Sequence, residues 1–210
     1  MAKAPVAGRV KTRLQPPLTP QQAADVAAAA LHDTLAAADA SGATDRVLAL
    51  DGAVGLWLTA GWRVIPQRGE TFAERLSAAW GDDLGPTLQI GMDTPQVSAL
   101  QLDEAMARLQ DHDCVLGPAS DGGWWALGLR TASPTAFDGV PMSSPDTCAH
   151  QLRRLVELGL SPALIKVVTD VDTWEDALEV AATAPGTQFA TMIAHLSDAL
   201  PSDYARPRTR

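Results

Sequence analysis

The sequence predicts an α/β protein in which a mostly parallel sheet carries helices on both faces. Three observations lead there. Short apolar runs alternate with stretches of about 10 to 20 residues that show helical periodicity, the pattern of βαβ units. Several of those stretches open with Ser or Thr followed three residues later by Gln or Glu, the signature of a helix N-terminus. And 210 residues, 46% hydrophobic and 20% charged, suffice for one sizeable core.

The elements follow in order. Thr19-Pro20-Gln21-Gln22 starts an alanine-rich helix, with Thr19 as N-cap and Pro20 in the first helical position, and the helix runs to about Gly42. RVLALDG reads as a buried strand. The apolar segment VGLWLTAG precedes a second strand, WRVIPQ, and Thr71 with Glu74 opens a helix to about Trp80. PTLQIGM is the next strand, and Ser98 with Gln101 caps a helix to about Gln110. DCVLGPA and WWALGLR are strands joined by a DGG turn, an adjacency that suggests an antiparallel element. A helix from about Pro145 to Leu158, the strand SPALIKVV and a helix with Trp174, Ala177, Leu178 and Ala181 at helical spacing come next. A last helix covers about Phe189 to Leu200, and PSDYARPRTR is expected to be disordered, which makes residues 1–200 one domain.

Composition excludes several function classes. A net charge of −9 disfavours a nucleic-acid partner, because phosphate-backbone binding needs positive faces. The chain has no apolar run long enough for a membrane span and no signal-peptide core, so a cytoplasmic location is expected. Cys114 and Cys148 stand in no CxxC or Cys/His cluster and read as small apolar residues. Lys3, Arg9, Lys11 and Arg13 all precede the first acid, Asp25, so the other twelve cations face all 25 acids. That cluster is either a solvated terminus or a phosphate-binding loop.

In open α/β sheets ligands bind beyond the carboxyl ends of the strands, so the residues that matter stand where an apolar strand stops. Three such places carry carboxylates. In GMDTP, Asp93 either holds a hard divalent ion or accepts hydrogen bonds from its own turn. In DGGWW, Asp121 precedes Gly122 and Gly123, which allow a tight turn or close approach to a ligand; one of Trp124 and Trp125 belongs to the core, and the other could wall a sugar ring or base. In DVDTWEDA, Asp172 is either a second metal ligand or, with Thr173, a helix cap. GxGxxG, GxxxxGK[ST] and GxSxG are all absent, and His32, His112, His150 and His195 are too scattered to suggest a triad or metal site.

AKAPVAGRVKTRLQPPLTPQQAA, IGMDTP, LGPASDGGWWALGLR, GVPMSSPDT and DVDTWEDA, in this order and over nearly the whole chain, resemble the bacterial DUF2064 family, glycosyltransferase-like members of the nucleotide-diphospho-sugar transferase (GT-A) superfamily. The resemblance implies a Rossmann-like, three-layer α/β/α sandwich that binds a nucleotide diphosphate with Mg²⁺ or Mn²⁺. It implies Asp93 and Asp172 as metal carboxylates, and Arg9, Lys11 and Arg13, with Lys3 nearby, as the phosphate loop. PVAGRVKTRLQPPLTPQQ is also similar to the opening of phospholactate guanylyltransferases, and DVDT to the late motif of small nucleotidyltransferases of the molybdenum-cofactor type. The family's short apolar strand ahead of AKAP has only about four residues here, and the expectation is that the natural chain starts upstream of Met1.

The leading expectation is therefore a metal-dependent glycosyltransferase-like enzyme that uses a nucleotide-diphospho-sugar donor and a small-molecule acceptor. In it, Asp93 and Asp172 hold the ion and Lys3, Arg9, Lys11 and Arg13 offset diphosphate charge. Asp121 binds acceptor or acts as base, and Gly122, Gly123 and Trp124 contact substrate. The alternatives are a nucleotidyltransferase that consumes a nucleoside triphosphate and releases pyrophosphate, and a nucleotide-binding protein without turnover. Fold alone does not choose between them.

Overall fold

The computed structural model describes residues 1–80, 85–201 and 204. Strands β1 (Ala2–Lys3), β2 (Val47–Asp51) and β3 (Arg63–Pro66) form one parallel group, ordered β1-β2-β3. Strands β4 (Thr87–Ile90), β5 (Cys114–Pro118), β6 (Trp124–Leu129) and β7 (Pro162–Leu164) form a second, ordered β4-β6-β5-β7. In it β6 runs antiparallel to β5, as the DGG turn foretold, and also to β4, and β7 is parallel to β5. A hydrogen bond from the Met1 ammonium to Ile90 O, 2.9 Å, ties the two groups together.

Helices cover both faces of this Rossmann-like α/β structure. Helices α1 (Pro20–Ala40), α3 (Ala99–Arg108), α5 (Trp174–Thr183) and α6 (Gln188–Ala199) lie on one side, and α2 (Phe72–Ala79) and α4 (Thr147–Glu157) on the other. The alanines of α1 have a packing reason. Ala24, Ala27, Leu31 and Leu35 meet β1 and β2, whereas Ala23, Val26 and Ala30 meet α5 and α6. A helix pressed between two layers needs small residues on more than one face.

Three capping boxes form as the sequence predicts, Thr19 with Gln22, Thr71 with Glu74 and Ser98 with Gln101, and a fourth, Thr173 with Asp176, adds to the cap expected there. Each satisfies orphan backbone N–H groups and stabilises by about 1 kcal/mol. Helix α4 instead starts at Thr147, two residues later than expected, and Asp146 makes no side-chain cap bond.

Two expectations change. SPALIKVV is a strand only over Pro162–Leu164, because the chain carries one extra residue between the Leu116–Leu164 pair and the next bridge, Ala119 with Val168, and so bulges there. The bulge turns the Lys166 carbonyl toward Trp125, whose indole N–H donates to it at 2.9 Å. Of the expected tail, only Pro201 and Tyr204 are described, and the rest of that expectation lies outside the described residues. Cys114 and Cys148 are free, and no described helix is long and apolar enough to cross a membrane.

Candidate functional site

The segments that follow β1, β4, β5 and β7 gather at one edge of the sheets. Backbone bonds hold them in place: Val171 N–H donates to Asp93 O at 2.9 Å, Ser120 N–H to Val168 O at 2.9 Å, and Ala119 N–H to Gly123 O at 2.9 Å. Val171, fully buried among Leu14, Trp174 and Phe189, anchors the DVDT segment. Its flanking residues, Asp170 and Asp172, therefore both turn toward the cleft, as i and i+2 positions of extended chain do.

The cleft has a volume of about 530 Å³, and Asp93, Asp121, Asp170, Asp172, Arg13 and Trp124 are among its walls. Of the expected loop cations, Arg13 lines the cleft and Lys11 reaches one of its carboxylates from behind it. The Lys11 side chain is 7% exposed, and its ammonium lies 2.5 Å from Asp93 Oδ1 and also donates to Val171 O. Arg13 Nη1 pairs with Asp172 Oδ2 at 2.8 Å. Lys3 and Arg9 are exposed and form no ion pair with the described residues. Lys11 takes the left-handed conformation, φ 48°, as the chain turns into a short 3-10 stretch at Thr12–Leu14, and buried Leu14 fixes that stretch to the helix layer. The loop is thus folded onto carboxylates rather than held out for phosphate alone.

Asp121 Oδ1 accepts from Gly123 N–H at 2.8 Å, so its turn role is real, while the carboxylate still lines the cleft beside Gly123. Gly122 has a packing requirement of its own. At φ +90° a Cβ there would stand 1.7 Å from Pro145 O, so the close approach it permits is to the chain's own 141–147 loop. The two tryptophans divide as expected: Trp125 is buried against Val97 and Leu102, and Trp124 stacks on Phe137 with centroids 6.1 Å apart and faces the cleft.

Asp170 is the residue that sequence reasoning passed over in favour of Asp172. Burial first, then the Asp93 and Asp121 charges, push its carboxyl from 3.8 up to about 7, with Lys11 opposing. Its Oδ1 is buried without a hydrogen-bond partner. The spacing Asp-Val-Asp around an apolar anchor was the available signal. Among the described residues no three acidic, imidazole or thiol groups converge into a ready-made metal cage. A hard ion such as Mg²⁺ needs only one or two carboxylates, with waters and phosphate oxygens completing its shell. An orphaned Asp170 oxygen beside Asp93 and Asp172, both paired with loop cations, fits such an ion.

Known proteins share this fold. A solved protein of Desulfovibrio desulfuricans G20, named as a candidate nucleotide-diphospho-sugar transferase, superposes with a TM-score of 0.85 at 25% identity over 96% of this chain and 94% of that one. Rv0371c of Mycobacterium tuberculosis H37Rv, solved in complex with manganese, shares the fold with a TM-score of 0.50 at 21% identity over 85% of this chain and 94% of that one. The 3-phospho-D-glycerate guanylyltransferase of Phenylobacterium zucineum (strain HLK1) is 35% identical over 108 residues. That match spans 50% of this chain and 48% of the relative, about half of each. The model of DUF2064, described as an uncharacterized protein conserved in bacteria, matches residues 20–144, well over half of the sequence, so the chain belongs to the DUF2064 family.

Proposed function

We propose that this chain is a metal-dependent nucleotidyltransferase that moves a nucleoside monophosphate from a triphosphate, GTP first, onto a small phosphorylated acid. The observation that carries it is the joining of the carboxylates Asp93, Asp170 and Asp172 to Lys11 and Arg13 in one cleft. The named guanylyltransferase relative favours this direction of transfer. An oxygen of the acceptor attacks the α-phosphorus, the bond to the β-phosphate breaks, and pyrophosphate leaves. A divalent ion held by Asp93 and Asp172, with Asp170 beside them, would supply Lewis-acid stabilisation of phosphate charge. Arg13 and Arg9 offset the charge of the departing pyrophosphate, and Lys11 keeps Asp93 in place. Trp124 offers a flat apolar wall for a base or acceptor, Gly123 lets substrate approach the backbone, and Asp121 stands where it can orient the acceptor. Residues 1–200 act as one domain in this reading.

Glycosyl transfer from a nucleotide sugar is the second reading, favoured by the name of the Desulfovibrio protein. A single assay separates the two. Nucleoside triphosphates, and in parallel nucleotide sugars, are offered with 3-phospho-D-glycerate and Mg²⁺ or Mn²⁺, and pyrophosphate is followed by coupled inorganic pyrophosphatase. Acceptor-dependent pyrophosphate supports nucleotidyl transfer. Nucleoside diphosphate released from a nucleotide sugar, with no pyrophosphate from any triphosphate, replaces it by the second reading.

A further inference from the structure

Among the described residues five polar residues are buried: Thr34, Gln89, Thr94, Thr147 and Gln151. Four of them donate to a main-chain carbonyl, Thr34 to Ala30 O at 2.9 Å, Gln89 to Leu76 O at 3.1 Å, Thr147 to Pro141 O at 2.9 Å and Gln151 to Ala136 O at 2.8 Å. Thr94, only 4% exposed, is the exception. Its carbonyl accepts from Val97 N–H at 3.1 Å, but its hydroxyl bonds to no described residue. Nor is that hydroxyl sealed in the interior like the unpartnered amide oxygens of Gln89 and Gln151, since Thr94 borders the charged cleft. Valine has nearly the same shape and no polar atom to satisfy, so packing alone would be served better by valine.

The residue is also held in place. Asp93 O accepts from Val171 N–H at 2.9 Å and Gln96 Nε2 donates to Thr169 O at 2.6 Å, so bonds on either side of Thr94 fasten its turn to the segment that carries Asp170 and Asp172. The hydroxyl thus stands beside the cleft's carboxylates without bonding to any of them. What suits it is an anionic oxygen brought in by a ligand, which a neutral O–H donor can bind with no countercharge of its own. We propose that Thr94 is a further substrate contact, whose Oγ–H donates to a non-bridging phosphate oxygen held next to Asp93. This rests on the nucleotidyl-transfer reading and adds a donor on the Asp93 side of the cleft, where Lys11 is tied to Asp93 and Val171 O. The bond strengthens as charge gathers on that oxygen during attack at phosphorus. Nucleotide and acceptor both present such an oxygen.

The test compares the parent with Thr94→Val and Thr94→Ser by calorimetric titration. Mn²⁺ is titrated alone, and then, in its presence, pyrophosphate, a GTP analogue with methylene between the α- and β-phosphorus, and 3-phospho-D-glycerate. Thr94→Val should weaken at least one phosphate probe by about ten- to hundredfold, the loss of a hydrogen bond to a charged group. Thr94→Ser keeps the donor and should stay within about threefold of the parent. Thermal unfolding without ligand separates a contact from a scaffold: a hydroxyl that served the fold would lower Tm on removal, whereas Thr94→Val should match or exceed the parent. Weakening confined to pyrophosphate and the analogue assigns the oxygen to the nucleotide, and weakening confined to 3-phospho-D-glycerate assigns it to the acceptor; either supports the contact. A parent that binds no phosphate probe, or parent-like affinity of Thr94→Val for all of them, would overturn it. So would an equal loss with Mn²⁺ alone, which would make the hydroxyl an ion ligand, or a Tm lower by more than about 3 °C. None of the probes reacts, so the nucleotidyl-transfer reading fails separately: Thr94-dependent binding of pyrophosphate, with no pyrophosphate released from any triphosphate, sinks that reading and leaves the contact standing.

Discussion

Replacing Asp170 by asparagine should make the protein more stable at pH 8 while removing its response to divalent ions. The unfolded chain releases the Asp170 proton near 3.8, whereas the folded protein keeps it until about 7. Between those values the folded state binds more protons, so stability falls as pH rises, and the full penalty is present above 7. The interval corresponds to ~4 kcal/mol as an upper figure. Asparagine matches the side chain in shape and carries no charge, so Asp170→Asn should relieve most of that penalty. For a chain of this length the gain is roughly 8 to 16 °C in Tm at pH 8, shrinking toward zero near pH 4. The assay is thermal unfolding of both proteins from pH 4 to 8.5 in chelator, repeated at pH 8 with Mg²⁺ and Mn²⁺. The parent should recover stability with the ions and the variant should not. Parallel pH curves, or a variant less stable than the parent at pH 8, would refute the placing of Asp170 in a desolvated, like-charged site.

Two further expectations test other parts of the structure. Gly122→Ala puts a methyl group 1.7 Å from Pro145 O at φ +90°, so the DGG turn or the 141–147 loop must shift; we expect a loss of roughly 3 kcal/mol or more in urea unfolding, together with weaker nucleotide-dependent stabilisation. The Met1 ammonium acts with the opposite sign to Asp170. Because the unfolded amine binds its proton up to 8.0 and the folded one only to about 6, stability of the 210-residue chain should rise across pH 6 to 8 by up to ~2.7 kcal/mol, and N-terminal acetylation should flatten that slope.

The helices were readable because their signals are local: Thr71 with Glu74 and Ser98 with Gln101 specify an N-terminus within four residues, and both boxes form. The carboxylates were readable because a strand that stops at an acid is also a local pattern. Three features were not local. The Lys11–Asp93 and Arg13–Asp172 pairs join residues separated by about 80 and 160 positions, so nothing in the loop sequence showed that its cations would fold onto carboxylates. Gly122 looked open because the loop that fills its missing side chain arrives more than 20 residues later. The short β7 follows from an extra residue before the Ala119–Val168 bridge, which hydrophobic periodicity does not encode.

In the proposed function, the pairing of loop cations with site carboxylates would couple the binding of ion and nucleotide at the cleft. Lys11 and Arg13 already neutralise the charges that would attract a divalent ion, so the ion alone meets competition from the protein itself. A polyphosphate alone meets cations that are already engaged. In the proposed reaction, where both arrive together, phosphate would draw Arg13 away and the ion would take up Asp172, so each ligand would free the other's partner while Lys11 stays on Asp93. Their affinities are then positively linked, and reciprocity requires the ion to tighten the nucleotide by the same factor as the nucleotide tightens the ion.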